Sequence, residues 1–205
     1  MSIFKTKVLK SFLSYKLWLI ILILVIIQTT LGQDMDKTIK ARKPDLVYND
    51  SKEFIIALES CIKWVEKDKN KFQVVPREII IAQAVIESDY GTSRFAKEAK
   101  NLFGIRVFSK DSPHLLPQGI KNWPGWGVRI FPSKCASVIE YVRLLNEHPA
   151  YEEFRALREQ TKDPIKLIKT LDKFSTTTDY DKRVIRIIKK IRKLEDTYAS
   201  DKTIK

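Results

Sequence analysis

Between residues 50 and 194 apolar residues return at three- and four-residue spacing in segment after segment, and a single stretch breaks the pattern. That spacing turns one face of each segment toward a core and the other toward water, so the segments are expected to be helices. Phe54, Ile55, Leu58, Cys61, Ile62 and Val65 form the first stripe, opened by Asp50 with Glu53 three residues on. A second helix is expected from Pro76 through Ile79, Ile80, Ala84 and Ile86 to a stop at Gly91. Ser133 can cap a third, carrying Cys135, Val138, Ile139, Val142 and Leu145, and Asp163 with Pro164 opens a fourth with Ile165, Ile168 and Leu171. Tyr180, Val184, Ile187, Ile188, Ile191 and Leu194 mark the last. In the break, residues 104–108 and 127–131 read as short strands around Pro113, Pro117, Gly119, Pro124 and Gly125. The expected fold class is mainly α (α+β), a helical domain with one small β lobe.

A chain of 205 residues with 44% hydrophobic and 31% charged content can form one well-cored domain with an extension. Lys5, Lys7, Lys10 and Lys16 precede an uninterrupted apolar run over residues 17–27, and Thr29, Thr30, Leu31 and Gly32 follow it. An export signal has an apolar region of about 7–15 residues, whereas a membrane span needs ~20. Cleavage after Gly32 is expected, with an inner-membrane anchor over residues 12–27, Lys16 snorkelling, as the alternative. The organisation is then a signal peptide or anchor over residues 1–32, a polar linker over 33–49 and a domain over 50–205, located in the periplasm or cell wall.

The net charge of +13 favours a polyanionic partner. Loss of residues 1–32 removes four Lys and no acid and leaves +9, while export takes nucleic acid off the list of partners. Lys182, Arg183, Arg186, Lys189, Lys190, Arg192 and Lys193 form the outer face of the last helix, first a solvated face and second an anion-binding surface. Cys61 and Cys135 can pair in an oxidising compartment, but each also lies on an apolar stripe as a buried free thiol would, and the thiol reading is favoured. His114 and His148 have no Cys or carboxylate at ligand spacing, so no metal site is expected, nor any cofactor. The protein is expected to be a monomer.

Glu87 continues the helical row of Ile80, Gln83 and Ala84, which presses a carboxylate against apolar surface. Desolvation disfavours the charged form, so such a Glu can hold a proton near neutral pH and hand it to a leaving oxygen. Glycoside cleavage needs such an acid. A helix-end Glu in water, or one paired with Lys or Arg, is the plainer alternative, and spacing alone favours it.

Residues 82–95, with Ala82-Gln83-Ala84, Glu87-Ser88 and Gly91-Thr92-Ser93-Arg94-Phe95, followed by Asn101-Leu102-Phe103-Gly104-Ile105, resemble the signature of the glucosaminidases of glycoside hydrolase family seventy-three, the Bax-type proteins in particular. Phe131-Pro132-Ser133, the segment from Asn146 through Tyr151, and Phe174-Ser175-Thr176 with Tyr180 fit as well, so the similarity runs over residues 50–194. The resemblance implies a lysozyme-like fold with a substrate groove beside the β lobe. It also implies peptidoglycan glycan strands as substrate and cleavage of the β-1,4 bond after N-acetylglucosamine. It puts Glu87 at the general acid and Tyr151 near the catalytic centre. Asn101, Phe103 and Gly104 fall at the groove floor, with tight turn packing as the competing role for Phe103, and Tyr180 falls in the closing element beside substrate. Relatives carry a second glutamate in the lobe, where this chain has only Asp111, which a turn role suits better. Asp89, two residues from Glu87, points elsewhere on a regular helix. Trp123 and Trp126 bracket Pro124-Gly125, and one of them is expected to stack on a sugar, unless both pack the lobe's own core. A lytic transglycosylase and a wall-binding module without turnover are the competing functions.

Overall fold

The computed structural model describes residues 44–67, 69, 70 and 73–203, with side chains as far as Leu194. The expected signal or anchor, and the linker up to residue 43, lie outside the described residues. Among the described residues no helix is long and apolar enough to cross a membrane.

Helix α1, Ser51–Glu66, begins where Asp50 takes the N–H groups of Lys52 and Glu53 on its carboxylate, and it buries Phe54, Leu58, Cys61, Ile62 and Val65. Helix α2, Arg77–Ser88, has Pro76 at its N-cap and buries every residue from Ile79 to Val85. A helix apolar all round belongs in the middle of a domain. It packs against α1 and against the last helix, α7, Tyr180–Thr203, whose Tyr180, Val184, Ile188 and Ile191 face inward. Helix α3, Arg94–Glu98, is a short turn capped by Ser93. Helix α4, Lys134–Glu147, is capped by Ser133 and lies on α1. Helices α5, Glu152–Gln160, and α6, Pro164–Leu167, with 3-10 turns before and after them, lead back to α7.

The β lobe is smaller and differently built than expected. Strand β1, Arg106–Val107, and β3, Gly127–Arg129, fall inside the expected segments, but a third strand, β2, His114–Leu115, pairs on the far side of β3. All pairings are antiparallel in the order β1-β3-β2. Much of the joining comes from one side chain of the helical body: the Asn101 amide donates to the carbonyls of Ile105 and Arg129, both at 2.9 Å. Its oxygen accepts the N–H groups of Phe103 and Ile105 at 3.3 and 3.1 Å.

Two further expectations are corrected. Cys61 and Cys135 form a disulfide with their Cα atoms 5.8 Å apart, tying α1 to α4. The apolar stripes that pointed to free thiols are real, since both residues are fully buried, but the two stripes face each other. Residues 44–49, read as the end of a solvated linker, lie on the domain. Leu46 is 4% exposed, and the Tyr48 hydroxyl donates to the Gly91 carbonyl at 2.8 Å. The Tyr48 ring meets Phe54 edge-on and lies under the Lys134 ammonium.

Gly91 ends the turn after α2. Asp89, Tyr90 and Gly91 follow one another at φ 49°, 53° and 74°, a left-handed run that only glycine adopts without cost. A Cβ on Gly91 would lie 2.0 Å from the Tyr48 oxygen and 2.8 Å from Phe54 Cε2. Gly91→Ala is therefore expected to destabilise the fold by about 1–3 kcal/mol, from backbone strain alone or with the clash added. Chemical denaturation would check this, and an unchanged midpoint would show that neither the left-handed backbone at Gly91 nor the Tyr48 contact is costly to an alanine.

Candidate active site

Glu87 occupies the last turn of α2, where the helix leaves the core. The residues one and two turns before it in its row, Gln83 with Ala84 and then Ile80, are fully buried, whereas Glu87 is half-buried. Burial pushes its carboxyl above the ordinary carboxylate range, opposed in part by a hydrogen bond from Tyr180 and by the positive charge of Arg183. The Tyr180 hydroxyl donates to Glu87 Oε1 at 2.8 Å. Glu66 is also shifted upward by burial, but it ends α1 beside Arg77, apart from the residues that gather around Glu87.

Behind Glu87 stands a line of buried polar groups. Gln83 Nε2 donates to the Tyr180 oxygen at 3.1 Å, and Gln83 Oε1 accepts the hydroxyl of Tyr141 from α4. Tyr141 is fully buried, its ring stacked on Phe103 with centroids 4.1 Å apart and met edge-on by Phe174. Burial, and then the neighbouring Tyr180, Tyr151 and Glu87, hold its phenol well above the usual range. Gln83 and Tyr141 escaped the sequence reading. The available signal was an amide in the middle of the most apolar helix, which must find partners when buried.

The remaining residues divide by burial. Tyr180, expected to touch substrate, is 7% exposed, and its hydroxyl accepts from Gln83 and donates to Glu87. Phe103 is 4% exposed and packs on Tyr141, and Asn101 is buried in service of the lobe. Gly104 is exposed at φ 66°, at the turn into β1. Tyr151 is half-buried with its phenol pushed up by desolvation, and it is near enough to Tyr141 to raise that phenol too. Trp123 meets the His114 ring, while Trp126 carries the Arg106 guanidinium over one face at 4.0 Å, so both rings are partly engaged by the lobe itself. Asp111 is exposed in a turn whose Ser109 hydroxyl accepts the Asp111 N–H. Asp89 is turned outward by its left-handed backbone, and its carboxylate accepts from Thr92 at 3.0 Å. A surface hollow of about 400 Å³ between Pro149, Glu152, Glu153, Asp172 and Lys173 holds none of the expected site residues.

The arrangement is one partly desolvated carboxyl at the edge of the core, its proton affinity raised by burial, with the Tyr180 hydroxyl donating to one of its oxygens. Comparisons with known proteins bear on the fold and the family. The glucosaminidase family profile, described as mannosyl-glycoprotein endo-beta-N-acetylglucosaminidase, matches residues 62–193. The protein Bax of Escherichia coli (strain K12) is 34% identical over 90 residues, 44% of this chain and 31% of Bax, so the chain spans about a third of that relative's length. Among solved structures, the catalytic domain of the autolysin Auto from Listeria monocytogenes superposes with a TM-score of 0.52 at 21% identity, over 78% of this chain and 93% of that one. The glycoside hydrolase domain of FlgJ from Salmonella typhimurium gives 0.55 at 19%, over 76% and 97%. These two likenesses speak to the fold, lysozyme-like and mainly helical with a small β lobe, and the profile match speaks to the lineage. With well over half of its length matched, the chain belongs to the glucosaminidase family of glycoside hydrolases.

Proposed function

We propose that this protein is an endo-β-N-acetylglucosaminidase of peptidoglycan, cutting the β-1,4 bond between N-acetylglucosamine and N-acetylmuramic acid with Glu87 as the proton donor. The observation that carries the reading is the half-buried Glu87 carboxyl, held by Tyr180 and raised in proton affinity by desolvation. A neutral carboxylic acid beside the glycosidic oxygen can protonate the leaving sugar as the C–O bond breaks. Once the proton has left, the Tyr180 hydroxyl and the Arg183 charge stabilise the carboxylate that remains. Tyr151 lies in the same electrostatic neighbourhood and is assigned to the catalytic centre. Gly104, Trp123 and Trp126 are assigned to the glycan, which one tryptophan face would stack against.

The test is mass spectrometry of the muropeptides released from purified sacculi. Reducing N-acetylglucosamine ends are expected. Anhydro sugar ends would make the protein a lytic transglycosylase, and binding without any release would make it a wall-binding module.

The site of action follows from the same reading. A buried disulfide in a domain of this size fits an oxidising compartment, and a wall polymer as substrate lies outside the cytoplasm. Residues 1–32 are assigned to export, with cleavage after Gly32. Protein recovered from cells is expected to begin at Gln33; an intact Met1 in a salt-resistant membrane fraction would replace the cleaved signal with an anchor.

A further inference from the structure

Three hydrogen bonds run in one direction, from Tyr141 through Gln83 and Tyr180 to Glu87, and each group has its role fixed by its neighbour. An amide has an accepting end and a donating end, and Gln83 is fully buried, so turning it over would set its N–H₂ on the Tyr141 oxygen and take from that buried hydroxyl the acceptor of its own proton. Its oxygen is held by Tyr141, which leaves its nitrogen for Tyr180. A hydroxyl has one proton. With the Tyr180 oxygen already receiving an N–H from Gln83, that proton is aimed at Glu87 Oε1 at 2.8 Å. The anchor of the line cannot drift, because Tyr141 is 1% exposed and sandwiched by Phe103 and Phe174.

We infer that Gln83 and Tyr141 are positioning residues that set the direction of this line, and that they thereby assign the transferable proton of Glu87 to Oε2, the oxygen not bonded to Tyr180. Oε1 accepts the Tyr180 proton in both states of the carboxyl, so a proton on Oε1 would face a donor, whereas one on Oε2 does not. In the reaction the O–H bond at Oε2 breaks, its proton goes to the glycosidic oxygen, and the electron pair stays on a carboxylate that Tyr180 already stabilises through Oε1. The inference rests on Glu87 being the acid, and the two stand or fall separately in the experiment below.

The experiment titrates the Glu87 side-chain carboxyl by ¹³C NMR and, in the same proteins, measures kcat and KM against pH. Gln83→Glu offers a carboxylate that accepts from both tyrosines, drawing the Tyr180 proton away from Glu87. Tyr141→Phe removes only the terminal hydroxyl and keeps the stacked ring. Both variants are expected to raise the Glu87 titration point, Gln83→Glu the more, by removing or loosening a hydrogen bond to the charged form. The alkaline limb of kcat should move with it and kcat should fall by about tenfold, short of the about 10²–10⁴-fold that a positioned acid contributes in full, with KM little changed. Packing alone would lower the melting temperature and leave the titration where it was. An unshifted Glu87 titration in folded Tyr141→Phe overturns the inference even if Gln83→Glu fails to fold. A shifted titration with an unmoved kcat profile keeps the line of bonds and removes Glu87 as the acid, which overturns the assignment of its proton to catalysis.

Discussion

Glu87→Gln is expected to lower glycan cleavage by about 10²–10⁴-fold, the usual contribution of a positioned acid, while the protein remains folded. The amide keeps the size of the side chain and can still accept from Tyr180, but it has no proton to give the leaving sugar. The variant should also be no less stable than the parent at neutral pH, for a reason that can be signed. Burial raises the Glu87 titration point above its unfolded value, so the folded protein binds that proton more tightly than the unfolded chain. Stability linked to such a group is complete below the unfolded value, near pH 4, and is lost as pH rises through the folded one. Gln is free of that loss. Thermal unfolding at about pH 4 and at neutral pH should show the variant gaining on the parent as pH rises. A collapsed melting temperature would recast Glu87 as structural, and retained cleavage would end its assignment as the acid.

Breaking the Cys61–Cys135 bond is expected to have the largest effect on stability. The cross-link closes a loop with a sequence separation of 74 residues. Chain-entropy reasoning puts the loss at about 4 kcal/mol, and for a domain of this size that is roughly 10 °C or more in melting temperature. The double variant Cys61→Ser/Cys135→Ser and the reduced parent should melt together, well below the oxidised parent. Equal melting of all three would show that packing between α1 and α4 already fixes both helices. Tyr141 lies six residues after Cys135 on α4, so the same bond also holds in place the far end of the line of hydrogen bonds behind Glu87.

The helices that carry an apolar stripe are legible in the sequence, since α1, α2 and α4 begin and end within a few residues of their caps and periodicities, and α7 begins at Tyr180 as expected but runs on past Leu194 to Thr203. Helix α5 is not. Its inward positions are held by Phe154 and by Arg158, which is 2% exposed and donates from Nη2 to Asn146 at 2.6 Å, and a hydropathy pattern counts an arginine as outward. Strand β2 was hidden for another reason, as two residues are too few to show alternation. Glu87 stands out because its row is apolar, but the groups that tune it lie far along the chain, Tyr180 93 positions on and Arg183 beyond it, and spacing along one helix says nothing of those. The same blindness to what faces what separated two apolar stripes from the disulfide between them.

The β lobe is coupled to the body by an amide more than by a sheet. Asn101 spans β1 and β3 from outside, whereas the strands themselves pair over two residues at a time. What lies between those strands, from Phe108 to Trp126, answers to its own short pairing and ring contacts and, from helix α3, to one bond from Arg94 to the Leu116 carbonyl at 3.1 Å. Loops tied in that way can change length and side chains at little cost to the core. The part of the molecule most able to vary is thus the part whose alteration the fold least resists, and Asn101 is one of the points that hold its base to the body.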